Sequence, residues 1–495
     1  MKSPRAPALC KTGIAGLDTI LNGGLPLNRL YLVMGDPGVG KTTLALQFLL
    51  AGAKAGEKVL YITLSETKAE LMEVAASHGW DLSAVDLFEL TTIEALIKLE
   101  ANTTFFSPSE VELSRTTKAL LTEVERVKPA RVVFDSLSEL RLMSETPLRY
   151  RRQILHLKQS FSGKNCTVLM LDDEAGKDRH DNQVESLAHG VLVLTRTSPE
   201  FGISRRQLRV QKIRGVKFQE GNHDLLLTTG EVLVLPRLVA ADHHQTFVRE
   251  SIPSGIDGLD QLLGGGIDRG TSTIFMGPAG TGKSTMAMFF AIAAAERGEN
   301  VLFFTFDETL GTLLNRAENL SQKFGNHLQS HRIRVEQIDP AEVSPGELAH
   351  TVQQAVQREG VRMVVVDSLN GFLHAMPDQR HLLLQLHELL AFLNQQGVAS
   401  IMVMTQQGLI GHMQTPLDLT YLADTVVLLR YFEHDGMVSQ AVSVMKKRSG
   451  YHEKTIREYS LTKDGILVGA PLVELQGVLT GVPVHRSNRR GKNEP

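Results

Sequence analysis

The sequence predicts an α/β protein of two tandem domains, each built on a mostly parallel core sheet. Three observations predict it. Two glycine-rich loops of phosphate-binding type occur, each between an apolar strand and a helical pattern. The second half repeats landmarks of the first in the same order. Near-continuous apolar runs at 59–64 and 301–306 have the composition of strands buried on both faces. Strands of that kind alternate with helical stretches, which is the pattern of an α/β sheet with ligands at the carboxyl ends of its strands.

The first loop reads Gly35-Asp36-Pro37-Gly38-Val39-Gly40-Lys41-Thr42 and the second Gly277-Pro278-Ala279-Gly280-Thr281-Gly282-Lys283-Ser284. Both match G-x-x-x-x-G-K-[ST] in full. Glycine lets backbone N–H groups curl around a β-phosphate with no Cβ in the way. Gly35, Gly38, Gly40, Gly277, Gly280 and Gly282 are therefore expected nucleotide contacts, with Thr43 and Thr285 just beyond. Lys41 and Lys283 are expected to reach the β- and γ-phosphates, and Thr42 and Ser284 to hold Mg²⁺. Two such loops predict two bound nucleoside triphosphates.

Length and composition agree. The 495 residues suit two large domains, and 42% hydrophobic with 22% charged residues is ordinary for a globular chain. A net charge of −3 supplies no global attraction to nucleic acid or an anionic membrane. Two cysteines, Cys10 and Cys166, exclude a disulfide framework or zinc ribbon as organising principle. Residues 1–10 lack the apolar core of a signal peptide, and no apolar stretch is long enough to span a bilayer, so the expectation is cytoplasmic.

The repeat defines the domains. Thr12-Gly13-Ile14-Ala15-Gly16-Leu17-Asp18 recurs as Ser254-Gly255-Ile256-Asp257-Gly258-Leu259-Asp260, and the loop lysines lie 242 positions apart (283 − 41). A period this long is a duplicated domain, not a solenoid unit. The apolar pattern breaks near 239–250. The expected division is 1–240, 241–475 and a disordered basic tail at 476–495 that carries Arg486, Arg489, Arg490 and Lys492.

Chemistry needs carboxylates near each loop. Asp135 and Asp367 end the apolar strands at 131–134 and 363–366, and each precedes Ser-Leu. A carboxylate there can polarise a Mg²⁺-bound water. A second carboxylate must orient or deprotonate the nucleophile. Asp307 and Glu308 are the candidates in the second half; the first half has Ser65-Glu66 instead. Serine is too weak a base; Glu66 is the first half's catalytic candidate in its place, although its side chain would point to the other side if the strand geometry continues. Helix N-capping by Ser65 and Asp307 is the competing explanation. Lys212 with Arg214, and Lys446 with Arg448, are each two residues apart on a late strand and share a face. Such pairs suit a γ-phosphate held by a neighbouring subunit.

These motifs together resemble the KaiC family of RecA-like ATPases over nearly the whole chain. The resemblance rests on the two entry segments, two phosphate loops, two Asp-Ser-Leu strands, two Lys-x-Arg pairs and Arg457-Glu458-Tyr459. It implies ATP as nucleotide and two RecA-like domains per subunit. It also implies a homo-oligomer, a double-ring hexamer, with ATP between subunits and the Lys-x-Arg strand reaching the neighbour's phosphates. A regulatory protein partner fits the same picture. Clock members of the family phosphorylate hydroxyl residues of the second domain. Alignment on Ala423-Asp424-Thr425 puts Thr420 and Tyr421 at the adjacent acceptor positions and Thr415 on a further one. Tyr421 departs from the pattern because its hydroxyl sits on a longer arm. The first half reads Glu185-Ser186-Leu187-Ala188-His189 there and lacks the threonine.

The resulting expectation is a slowly hydrolysing signalling ATPase and Ser/Thr autokinase. Two alternatives belong to other classes. A RecA/RadA-like recombination ATPase binds DNA, but this chain has neither the four-cysteine element nor the basic charge that class brings. A nucleotide-gated scaffold uses ATP only for assembly; slow hydrolysis separates it from the enzyme.

Overall fold

Each half of the chain folds around one nine-stranded sheet. The computed structural model describes residues 7–89, 108–144, 146–173, 183–199, 202–320, 322–374, 379–408, 419–462, 465–480 and 483–485. It divides into two compact units, Met1–Arg237 and Leu238–Pro495.

In the first unit the sheet order is Glu231–Leu235, Asn222–Thr228, Arg205–Ile213, Gly190–Thr197, Leu30–Gly35, Thr167–Asp173, Arg131–Asp135, Val59–Thr63 and Asp86–Glu89. The last six strands are parallel; the first three are added antiparallel. Alternation along the loop strand Leu30–Gly35 explains why it is apolar throughout. Tyr31 and Val33 enter one core with the helix Lys41–Lys54. Leu30, Leu32 and Met34 enter the opposite core, under the helices Pro108–Val127, Leu137–Met143 and Pro147–Phe161. A sheet covered on both faces has no use for polar alternation. Each fully buried Leu or Val there contributes roughly 1.5–3 kcal/mol relative to exposure.

The second unit repeats the order: Ile333–Gln337, Asn300–Thr305, Val361–Asp367, Ala399–Thr405, Ser272–Gly277, Thr425–His434, Met437–Lys447, Ile456–Thr462 and Gly465–Pro471, read from the opposite edge. These are tandem RecA-like α/β domains. No helix among the described residues is long and apolar enough to cross a membrane.

The segment after Arg237 packs on the second unit. Leu238 and Ala240 enter its core, and the Ala240 N–H donates to Glu388 Oε2 at 3.1 Å. Order also extends past 475, where the sequence reading places disorder. Leu475–Gln476 pairs with Val484–His485, and Val478 is buried against Phe432 and Ala441. Composition pointed to disorder because polar and basic residues dominate after 481; the apolar Val478 is the anchor that such averaging hides. Residues 486–495, with the tail arginines, lie outside the described residues.

Candidate nucleotide sites

Both phosphate loops turn from strand to helix at a left-handed glycine. Gly40 (φ 107°) precedes the helix Lys41–Lys54, and Gly282 (φ 78°) precedes Lys283–Glu296. An L side chain resists that conformation. Gly35 and Gly277 are fixed for another reason: a Cβ would lie 2.3 Å from the Leu194 carbonyl oxygen or 2.2 Å from that of Leu429. Each helix thus begins directly at its glycine-rich loop, and a helix N-terminus reached in this way is the arrangement that binds phosphate.

In the first site Lys41 is 8% exposed and donates to the carbonyls of Gly35 at 2.8 Å and Asp36 at 3.0 Å. It also pairs with Asp173 Oδ1 at 2.7 Å. Thr42 Oγ1 donates to Asp135 Oδ2 at 3.2 Å, and the Tyr61 hydroxyl donates to the same oxygen at 2.5 Å. Thr43 is buried on the helix beside them. Burial pushes the Asp135 carboxyl up, while the bonds from Tyr61 and Thr42 and the charge of Lys41 pull it down. A buried carboxylate beside a loop hydroxyl is a donor set that Mg²⁺ fits.

Glu66 does not point away. The strand Val59–Thr63 ends before it, and Thr63 Oγ1 accepts the Glu66 N–H at 3.0 Å while donating to its carbonyl at 2.8 Å. That local turn cancels the strand alternation on which the expectation rested. Burial and then the Asp135 charge raise the Glu66 pKa, so the two carboxylates share a site. Glu66 Oε2 is buried with no hydrogen-bond partner among the described residues. Nor does Ser65 cap a helix: Thr67 does, in a reciprocal capping box with Glu70.

The second site has the same frame and different charges. Lys283 donates to the Pro278 carbonyl at 2.7 Å. Burial pulls its pKa down to about 8, against the raising effect of Asp367. Thr285 is buried on the same helix, next to Ser284. Asp367 is 8% exposed; burial raises its pKa, Ser284 and Arg316 lower it, and Glu308 and Asp307 raise it. Asp307 accepts from the Ser368 hydroxyl, and Glu308 pairs with Arg316 at 2.7 Å. The peptide bonds Asp135–Ser136 and Asp367–Ser368 are both cis.

Four participants escaped the sequence reading: Tyr61, Asp173, Arg316 and Ser368. Asp173 was the most accessible of them. It ends a strand beside the phosphate-loop strand, as Asp135 ends the next one, and faces Gly35 where Thr405 faces Gly277. Arg316 lies eight residues past Glu308 on the helix Leu310–Leu320, a spacing that no short motif records.

The Lys-x-Arg pairs lie elsewhere. Lys212 registers with Val191, level with Leu32, and Lys446 with Val426, level with Ile274. Each is three residues, about 10 Å along the strand, from Gly35 or Gly277, towards the amino ends of the parallel strands. Both members of each pair reach one preceding segment, the short helix Gln183–Leu187 in the first unit and the turn at 420–423 in the second. Lys212 donates to the Glu185 carbonyl at 2.5 Å and Arg214 to Ser186 at 2.7 Å. Lys446 donates to the carbonyls of Thr420 at 2.8 Å and Ala423 at 2.7 Å, and Arg448 to Tyr421 at 2.9 Å. Thr420 is half-buried and Tyr421 is 55% exposed. Thr415 lies outside the described residues.

Two phosphate loops on two RecA-like sheets define a nucleotide-binding ATPase with duplicated domains. The profile of the KaiC ATPase family matches residues 10–239 and again 252–473. The chain belongs to that family. It is 25% identical to the circadian clock protein KaiC3 of Synechocystis sp. over 96% of this chain and 94% of that protein. It is 26% identical to the circadian clock oscillator protein KaiC of Parathermosynechococcus lividus over 98% and 89%. Against the circadian clock protein KaiC2 of Synechocystis sp. it is 26% identical over 95% and 83%.

Proposed function

We propose that this ATPase works as a homo-oligomeric ring, a hexamer, with ATP at each subunit boundary. The observation that carries this is the placement of Lys212, Arg214, Lys446 and Arg448 towards the sheet end opposite their own chain's loops. A cation there cannot serve its own triphosphate; set against the next subunit, it can stabilise charge on that subunit's γ-phosphate. Thr42 with Asp135, and Ser284 with Asp367, would hold Mg²⁺, which would supply positive charge to the bound triphosphate. The setting is cytoplasmic and the output is signalling, through a regulatory protein partner.

The second domain is proposed to be a slow hydrolase and autokinase. The Thr420 hydroxyl oxygen bonds to the neighbour's γ-phosphorus as the bond from that phosphorus to the β–γ bridging oxygen breaks. ADP leaves, and the hydroxyl proton passes to Asp307 or Glu308 of the neighbouring subunit, which holds that ATP. Lys446 and Arg448 hold the carbonyls of Thr420 and Tyr421, so the acceptor loop is fixed by the cations that would face the phosphate. Positioning is most of what phosphoryl transfer requires. Tyr421 and Thr415 are secondary acceptors. The first domain binds ATP; Ser65 stands where the second domain has Asp307, which weakens its turnover unless Glu66, turned in beside Asp135, takes the role of base.

The test is to incubate the full chain with Mg-ATP, then measure particle mass and map phosphosites. A ring that carries phosphate on Thr420, and loses it in the Asp307→Asn/Glu308→Gln variant, is expected. A monomer in saturating Mg-ATP overturns the ring; unmodified Thr415, Thr420 and Tyr421 in a hydrolysing protein overturn the kinase.

A further inference from the structure

Away from the nucleotide sites, one trio of metal-ligating side chains converges among the described residues: His434, Asp435 and His485. Two of them come from a hairpin. The strand Thr425–His434 turns into Met437–Lys447 through Asp435 (φ 50°) and Gly436 (φ 71°). Asp-Gly with both residues left-handed is the tight turn that matches the twist of paired strands. It sets the Asp435 carboxylate beside the His434 ring, with Oδ2 3.4 Å from Nε2.

The third member arrives from the far end of the chain. His485 lies on the two-residue strand Val484–His485, which pairs with Leu475–Gln476. Between these strands, Val478 is buried against Phe432, two residues before His434. The apolar anchor that holds the terminal segment therefore also carries His485 to the hairpin tip. Its ring centroid stands 4.9 Å from that of His434, with the planes at 59°.

We propose that His434, Asp435 and His485 bind a divalent transition-metal ion, with Zn²⁺ the best fit, that clips the terminal segment to the hairpin tip. Two imidazole nitrogens and one carboxylate oxygen form a donor set suited to Zn²⁺, Co²⁺ or Ni²⁺ rather than Mg²⁺ or Ca²⁺. Metal–donor bonds of about 2.1 Å place tetrahedral donors about 3.4 Å apart. The Asp435–His434 distance already has that value, and the three donor atoms lie within 4.8 Å of one another. Small ring rotations close the set. His434 is half-buried and its partners are exposed, so water can fill the fourth position and the ion can enter from solvent.

The test uses metal-stripped full-length protein kept in Mg-ATP, so that the phosphate loops are occupied. Titration with Co²⁺ should give a visible ligand-field band that saturates at one ion per chain and is displaced by Zn²⁺. His434→Ala and His485→Ala should each weaken binding by about 100-fold or more, since even outer-shell partners are worth 10–100-fold. Zn²⁺ should also slow amide exchange at Val484 and His485 in the native chain. Absence of the band in the native chain overturns the site. So does a band of unchanged affinity in both variants, which leaves the trio an ordinary ion pair and ring contact. His485 is exposed near the chain end, so His485→Ala decides alone should His434→Ala disturb the hairpin.

Discussion

Lys283 is the residue whose chemistry the structure quantifies best. It is 5% exposed, and burial holds its pKa at about 8, below the ordinary 10.5. A triphosphate beside it supplies the negative charge that burial denies it, so the bound ammonium keeps its proton to the ordinary value or above. Below pH 8 both free and bound sites are charged, and pH has little effect on affinity. Above pH 8 the free lysine is neutral, binding takes up a proton, and affinity falls as pH rises. At about pH 9 only about a tenth of free sites are charged, so ATP should bind about 10-fold more weakly than at pH 7, or ~1.4 kcal/mol.

The assay needs the second site alone, which Lys41→Ala provides. A fluorescent ATP analogue titrated in saturating Mg²⁺ gives affinity against pH. Calorimetry in two buffers of different ionisation enthalpy counts the proton, expected to approach one per nucleotide at the higher pH. An affinity that is flat across this range, with no proton taken up, would refute the burial argument. It would mean that the ligand-free loop admits enough water to keep Lys283 charged.

Three further outcomes are expected. Ser65→Glu in a Lys283→Ala background should raise first-site turnover by about 100-fold, the lower range for a positioned base; no rise would assign that role to Glu66. Asp173→Asn should tighten ATP at the first site by about 10-fold in a Lys283→Ala background, since a charge-assisted bond that competes with phosphate for Lys41 is worth about 1.5–3 kcal/mol before screening at its partly exposed oxygen. Weaker binding would show instead that Asp173 serves the nucleotide. Arg316→Gln should slow second-site turnover by at least about 10-fold with ATP affinity nearly unchanged, because it positions Glu308 rather than phosphate; equal losses in both would make it a binding residue.

The frame of each site was legible because it is local. A phosphate loop, the strand before it and the helix after it occupy about 20 consecutive residues, and their spacing is dictated by one phosphate group. The strand-end carboxylates were legible for a similar reason: Asp135 and Asp367 interrupt apolar runs. What escaped is what the sheet brings together across sequence. Asp173 meets Lys41 from 132 positions away (173 − 41), through strand order alone. Glu66 was placed on the wrong side because alternation was extended past Thr63, where a side-chain hydrogen bond ends the strand. The order beyond 475 was missed for the opposite reason: a single buried Val478 outweighs a polar neighbourhood.

The differences between the halves are not spread evenly. The parts that bind phosphate coincide: the glycines, the lysine, the hydroxyl and the strand-end aspartate. The divergent positions surround the reacting end. Ser65 answers to Asp307, Tyr61 to Phe303, Val74 to Arg316 and Asp173 to Thr405. Each exchange changes charge or hydrogen bonding beside the same frame. In the first half Asp173 pairs with Lys41, and a serine stands at the position of Asp307 with Glu66 turned in beside Asp135. In the second, Arg316 pairs with Glu308, the Ser368 hydroxyl donates to Asp307, and the buried Lys283 donates to the Pro278 carbonyl. Binding that is equal in the ground state and the transition state does not speed the chemical step; only groups that act on the transition state do. On the function proposed above, duplication followed by change confined to those groups would leave one domain mainly to bind nucleotide and the other to run the chemistry.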